Sequence, residues 1–120
     1  PENALLTTGF PHLRKDILSS YMNSFGEIFK STAGVRRLGA AALDLCYVAA
    51  GRMDGYWEIG LHPWDIAAGM LIAEEAGAVV SDFLQKRLSI QNGQVIAAPE
   101  SVHSHLSNIL SKHFLRDDHE

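Results

Sequence analysis

The stretch RMDGYWEIGLHPWDIAAGMLIAEEAGAVVSD, Arg52 to Asp82, decides the fold. Its opening alternates: Met53, Trp57 and Ile59 fall on one side, Asp54, Tyr56 and Glu58 on the other, which is the period of a strand. His62 to Ala78 is then apolar almost throughout. Pro63 suits the first turn of a helix and Gly77 its C-terminal cap. AVVSDF after it reads as a second strand. The unit is therefore strand, helix, strand, with one carboxylate, Asp65, at the mouth of the helix.

The same alternation extends outward. Upstream, GAAALDLCYVAAG (Gly39 to Gly51) is apolar on nearly every side and predicts a buried helix stopped at Gly51. VRRL before it is a short strand candidate. Ile17, Leu18, Tyr21, Met22, Phe25, Ile28 and Phe29 have the spacing of one helix face, with Ser19, Ser20, Asn23, Ser24, Glu27 and Lys30 on the other. ALLTTGF, Ala4 to Phe10, reads as a buried strand. Downstream, QNG is a turn signal, QVIAAP a strand, and Val102, Leu106, Ile109, Leu110 and His113 mark a closing helix before the polar tail RDDHE. Strands alternating with helices predict an α/β fold, a mostly parallel sheet flanked by helices on both faces. Ligands gather at the carboxyl ends of strands in such sheets. Two places qualify, Leu38 to Ala41 and Glu58 to Asp65.

Composition narrows the function. A chain of 120 residues, 47% hydrophobic, suits one domain with a real core. A net charge of −4 argues against a nucleic-acid binder that works by neutralising phosphates. Cys46 is the single cysteine, so no internal disulfide forms, which fits a reducing compartment such as the cytoplasm. No apolar run approaches the ~20 residues of a membrane span, and no signal peptide is visible. The start at Pro1 fits either a removed methionine or the later part of a longer protein.

Several residues invite chemistry. Asp65 has an ordinary reading, a side chain stabilised by the helix dipole and free backbone N–H groups, which is what most acidic residues at helix starts do. Its sharper reading is a Mg2+ ligand, since that hard cation takes one or two carboxylates with waters and substrate phosphate. The helix end itself favours the phosphate. Glu58 is either an unremarkable solvent-facing carboxylate or, facing a cleft, an acceptor for a substrate hydroxyl. Gly39, Ala40 and Ala41 are small enough to let a ligand reach backbone N–H groups, or simply to pack a helix against the sheet, and spacing alone favours packing. His62, His103, His105, His113 and His119 have no zinc-ligand spacing, and His103 and His105 point to different faces of their helix. Cys46 reads as inert core. Trp57 and Trp64 read as core rather than pocket walls.

HPWDIAAGMLIAEEAGAVVSD resembles a signature of the inositol monophosphatase family: Trp64-Asp65, then Ala67-Ala68-Gly69, an apolar stretch, Glu75-Ala76-Gly77 and a strand. The likeness extends through RRLGAAALDLCYVAAGRMDGYWEIGL and, more loosely, LLTTGFP and QVIAAPES. Ala78 stands where the family often has a second glycine. The resemblance implies the αβαβα sugar-phosphatase fold and Mg2+-dependent hydrolysis of a small phosphate monoester, foremost an inositol monophosphate. It implies Asp65 as a catalytic metal ligand that also touches substrate, Glu58 as binder of substrate hydroxyls, and Gly39, Ala40 and Ala41 as the substrate-contacting turn. Ala40 replaces a threonine of many relatives, which removes a hydroxyl contact. The family's other metal ligands lie in a glutamate-bearing segment and an Asp-Pro-(Ile/Leu)-Asp-Gly-Thr segment, and neither occurs here. The expectation is a C-terminal half spanning residues 1–120, inactive alone, whose partners are the missing N-terminal half, a second copy in a homodimer, and a phosphorylated polyol or sugar. Nucleic acid and membrane are not expected partners. Rival substrates within the superfamily are fructose 1,6-bisphosphate, histidinol phosphate and an adenosine 3′,5′-bisphosphate. A rival from another class is a non-catalytic binding or dimerisation module.

Overall fold

The computed structural model describes residues 2–9, 17–37, 41–59, 63–83 and 93–114, with the side chains of residues 41–43 and 63–66 outside the description. Strand β1 (Leu5–Thr8) leads to helix α1 (Leu18–Ser31) and strand β2 (Gly34–Arg36). Helix α2 (Ala41–Ala49), strand β3 (Gly55–Glu58) and helix α3 (Pro63–Glu75) follow. Strands β4 (Val79–Ser81) and β5 (Val95–Ala98) and helix α4 (Glu100–Phe114) complete the order. The five strands form one sheet in the order β2-β1-β3-β5-β4.

The expected α/β sheet with flanking helices is present. Its parallel character belongs to one half: β1 pairs in parallel with β2 and β3, whereas β5 runs antiparallel to both β3 and β4. The expectation of a mostly parallel sheet counted strand–helix alternation and missed β4 to β5, where the chain returns without a crossover helix among the described residues.

Each face of the sheet carries a core. Leu6, Trp57, Ile96 and Ala98 pack on one face against Ile17, Tyr21 and Ile28 and against Leu106 and Leu110 of α4. On the other, Tyr56, Val95 and Ala97 pack against Leu45, Val48 and Ala73 of α2 and α3. Gly55 lets α4 approach: a Cβ there would stand 2.9 Å from Leu6 Cδ2, 3.1 Å from Val102 Cγ1 and 3.3 Å from the Ala98 Cβ. Both predicted helix stops hold, with Gly51 at φ +76° and Gly77 at φ +93°. After α3, Ala78 N–H donates to the Ala73 carbonyl at 3.0 Å and Gly77 N–H to the Glu74 carbonyl at 3.0 Å, the pairing of a glycine-capped C-terminus.

Three expectations need correction. The apolar face of α1 is wider than what the sheet covers. Ile17, Tyr21, Ser24 and Ile28 are buried, while Leu18 (48% exposed), Met22 (48%) and Phe29 (56%) are not. Ser24, expected outside, donates its hydroxyl to the Tyr21 carbonyl at 2.8 Å. Met53 packs with Tyr56 rather than Trp57, because β3 begins only at Gly55 and the alternation does not reach back through the preceding bend. Cys46 is a half-buried free thiol, since α2 is covered by the sheet and α3 on part of its circumference only. Trp57 is core, as expected. The QNG turn lies outside the described residues except for Gly93, and Phe10, Leu38, His62 and the RDDHE tail lie outside them altogether.

Candidate active site at the carboxyl edge of the sheet

Strands β2, β1 and β3 are parallel, so their carboxyl ends share one edge. From that edge β1 is continued by α1 on one face, while neighbouring β3 is continued by α3 on the other. Adjacent strands whose continuations part to opposite faces open a crevice between them, the usual ligand position of such sheets. Gly9, immediately after β1, and Glu58, the last residue of β3, occupy it.

Glu58 is half-buried there. Its Oε1 accepts a hydrogen bond of 2.5 Å from the Tyr56 hydroxyl. Both side chains project to the α2/α3 face, as residues two apart on a strand must. Across the strand pair, Thr8 donates its hydroxyl to the Trp57 carbonyl at 2.8 Å. A hydroxyl has one proton, so in the 3.0 Å contact between Thr8 Oγ1 and the Tyr21 hydroxyl the tyrosine is the donor. Burial, above all, pushes the Tyr21 phenol up to about 12, with the nearby Glu58 carboxylate adding to the rise and the Thr8 bond and Arg37 opposing it. Tyr21 is therefore a neutral strut at this edge and no base.

A second carboxyl lies deeper on the α2/α3 face. Asp44, in the first turn of α2, is fully buried and accepts a 3.1 Å bond from Thr7 Oγ1. Its Oδ2 meets no partner among the described residues. Burial pushes its pKa up to about 6, against the smaller lowering by Thr7. Thr7 is the register partner of Tyr56, so Asp44 stands one strand away from the Tyr56–Glu58 pair.

The remaining predicted site residues are reached through their backbone. Ala41 opens α2 beyond the carboxyl end of β2, and Asp65 lies in the first turn of α3 beyond that of β3. Gly39 and Ala40 lie outside the described residues, as does the Asp65 side chain. Glu58, Ala41 and Asp65 thus share one edge by topology. The sequence reading missed Gly9, Tyr56 and Asp44. A lone carboxylate within AALDLCYVA was a signal for Asp44, since an apolar helix gives an aspartate no solvated face.

A Ser–His pair away from this edge is structural. Ser81 donates to the Asp82 carbonyl at 2.7 Å, so in the 2.7 Å contact with His103 Nε2 the histidine is the donor. A nucleophilic serine needs the opposite polarity. His105 instead reaches Ser31 at 2.8 Å, on a different face of α4 as expected. No group of three or more His, Cys, Asp or Glu that could hold a metal exists among the described residues. No described helix is long and apolar enough to cross a membrane.

This layout of sheet, helices and crevice is that of a phosphatase-type hydrolase superfamily. Residues 2–114 match the inositol monophosphatase family, and the chain belongs to it. It is 47% identical over 109 residues to Nus factor SuhB of Escherichia coli strain K12, covering 90% of this chain and 41% of that protein. It is 44% identical over 110 residues to the inositol-1-monophosphatase of Mesorhizobium japonicum, covering 92% and 41%. Among solved structures it superposes with a TM-score of 0.87 on the extragenic suppressor protein suhB of Bartonella henselae (40% identity; 92% of this chain, 42% of that one). The inositol monophosphatase of Anabaena (Nostoc) sp. PCC 7120 gives a TM-score of 0.86 (42% identity; 92% and 44%). The chain spans about two fifths of the length of the curated relatives it matches.

Proposed function

We propose that the polypeptide carrying this chain hydrolyses a small phosphate monoester, foremost an inositol monophosphate, with Mg2+, and that these 120 residues supply the C-terminal part of its active site. The observation that carries the reading is the pairing of Glu58, at the end of β3, with the Trp64-Asp65 motif that opens α3. Glu58 accepts a hydrogen bond from the alcohol portion of the substrate, an interaction a carboxylate strengthens. The first turns of α2 and α3, at the carboxyl ends of β2 and β3, present backbone N–H groups suited to a phosphate. The small residues Gly39, Ala40 and Ala41 give the ligand access to them.

The donor set fits Mg2+ in part. Asp65 is a hard carboxylate donor of the kind that ion takes, and the other protein ligands would come from outside this chain. When bound, the ion supplies charge neutralisation at the phosphoryl group and an acidified water. One carboxylate does not hold a metal site by itself, so this chain alone has negligible activity in this reading. A homodimer and a cytoplasmic setting belong to the same proposal.

Asp65→Asn in the longest natural polypeptide that contains this chain is expected to lower inositol monophosphate turnover by orders of magnitude. Near-normal turnover at saturating Mg2+ would overturn the assignment. A panel including fructose 1,6-bisphosphate, histidinol phosphate and adenosine 3′,5′-bisphosphate ranks the substrates. A second reading, a non-catalytic binding role, is favoured by the name Nus factor on relatives at 47% identity. Failure to hydrolyse any member of the panel would select it.

A further inference from the structure

The Glu58 carboxyl lies against a position that has no side chain. A Cβ built on Gly9 would stand 2.5 Å from each carboxylate oxygen and closer still to Cδ. Gly9 is buried, and its φ lies outside the positive region occupied by Gly51, Gly77 and Gly93. The backbone conformation would accept an L side chain; the space would not. The missing Cβ therefore matters for the carboxylate and not for the turn. The Tyr56 hydroxyl donates to Oε1 of the same carboxylate at 2.5 Å. The Tyr56 ring is fully buried among residues of α2 and α3, which makes its hydroxyl a fixed reference point. Gly9 follows β1 and Tyr56 lies in β3, so both parallel strands bear on where the carboxylate sits.

We infer that Gly9 and Tyr56 are positioning residues that seat the Glu58 carboxylate in the crevice, Gly9 by leaving it room and Tyr56 by holding Oε1. Through Glu58 they set the selectivity for the hydroxyl-bearing half of the substrate. This rests on the reading of Glu58 as the acceptor for a substrate hydroxyl. Restoring ordinary contact of about 3.5 Å after Gly9→Ala requires the carboxylate to retreat by about 1 Å. Misplacement of that size costs up to about 100-fold when a group must meet a ligand in fixed geometry.

The test uses the longest natural polypeptide that contains this chain and two probes, inositol 1-phosphate and phenyl phosphate, which lacks alcohol hydroxyls. The readout is the ratio of kcat/KM for the two, which is independent of the fraction of folded enzyme. Gly9→Ala is expected to lower that ratio about tenfold or more, chiefly through a raised KM for inositol 1-phosphate. Tyr56→Phe keeps the ring and lowers it by a smaller factor. Glu58→Ala lowers it as well, and adding Gly9→Ala to Glu58→Ala lowers it no further, because the two act through one group. A ratio reduced by Glu58→Ala but untouched by Gly9→Ala and Tyr56→Phe, or lowered additively in the double variant, overturns the inference while the reading of Glu58 stands. A ratio untouched by Glu58→Ala overturns that reading and the inference with it, as does absence of turnover on both probes in the unmodified protein.

Discussion

Asp44→Asn is expected to change the pH dependence of stability more than stability itself. The Asp44 carboxyl is 1% exposed, accepts one hydrogen bond from Thr7, and has an Oδ2 with no partner among the described residues. Burial raises its pKa from 3.8 to about 6. Between those values the folded protein keeps a proton that the unfolded chain has released, so stability falls as pH rises. The contribution of the neutral carboxyl is complete below pH 3.8 and is lost as pH passes through about 6. A rise of roughly two pH units, at about 1.4 kcal/mol per unit, makes the loss on the order of 3 kcal/mol. Asparagine keeps an acceptor for Thr7 and cannot ionise, but its amide brings an extra buried donor that costs about 1–3 kcal/mol if unpaired. The variant is therefore less stable than the parent near the acid end of the interval, and the gap closes or reverses by neutral pH. Urea denaturation followed by tryptophan fluorescence across this interval measures it. A stability difference constant within ~0.5 kcal/mol over the whole interval, against the expected drift of about 3 kcal/mol, would refute the argument that Asp44 is held neutral by burial.

Gly55→Ala should destabilise by about 1–3 kcal/mol, the usual cost of overpacking, because its Cβ would press on Leu6, Val102 and Ala98 at once; an unchanged denaturation midpoint would show that α4 can shift away freely. His103 should be the Nε2–H tautomer, as its contact with Ser81 requires, and its ring 15N shifts report this directly. Burial lowers the His103 pKa, so the stability it confers is present above the unfolded value of 6.5 and is lost as pH falls, a slope opposite to that of Asp44.

Local signals carried most of the fold. Helix α3 was legible because Pro63 and Gly77 bracket an apolar run, and both do what their chemistry predicts. β3 was legible by alternation only where it is a strand, and Met53 shows the limit, since a bend before Gly55 resets the facing. The antiparallel placement of β5 was not legible. Periodicity identifies QVIAAP as a strand but carries no direction, and its pairing with β3 joins residues 37 or more positions apart. The exposed edge of α1 was missed for a related reason: Leu18, Met22 and Phe29 have helical spacing with the buried residues, but the width of the apolar stripe does not say how much of it a sheet will cover.

The candidate site divides in the same manner. Asp65 and the Gly39–Ala41 turn stood out through a motif, whereas Gly9 read only as part of the buried strand ALLTTGF. Its relation to Glu58 spans two strands and exists only once β1 and β3 are paired. Asp44 and Thr7 are likewise 37 positions apart.

The two halves of the sheet have unequal duties, and this explains where the motifs cluster. A parallel pair needs a crossover, which puts a helix start beside the carboxyl end of each strand. β2, β1 and β3 therefore assemble Ala41, Gly9, Glu58 and Asp65 along one edge. β5 runs antiparallel to both β3 and β4 and contributes Val95, Ile96, Ala97 and Ala98, all buried, to the cores on both faces. Substitutions at the first edge should alter ligand selectivity at modest cost in folding, and those in β5 should do the reverse. Asp44 is the exception that joins the two duties. It sits beneath the edge, its bond to Thr7 ties the first turn of α2 to β1, and the burial that raises its pKa to about 6 makes the stability it lends depend on pH.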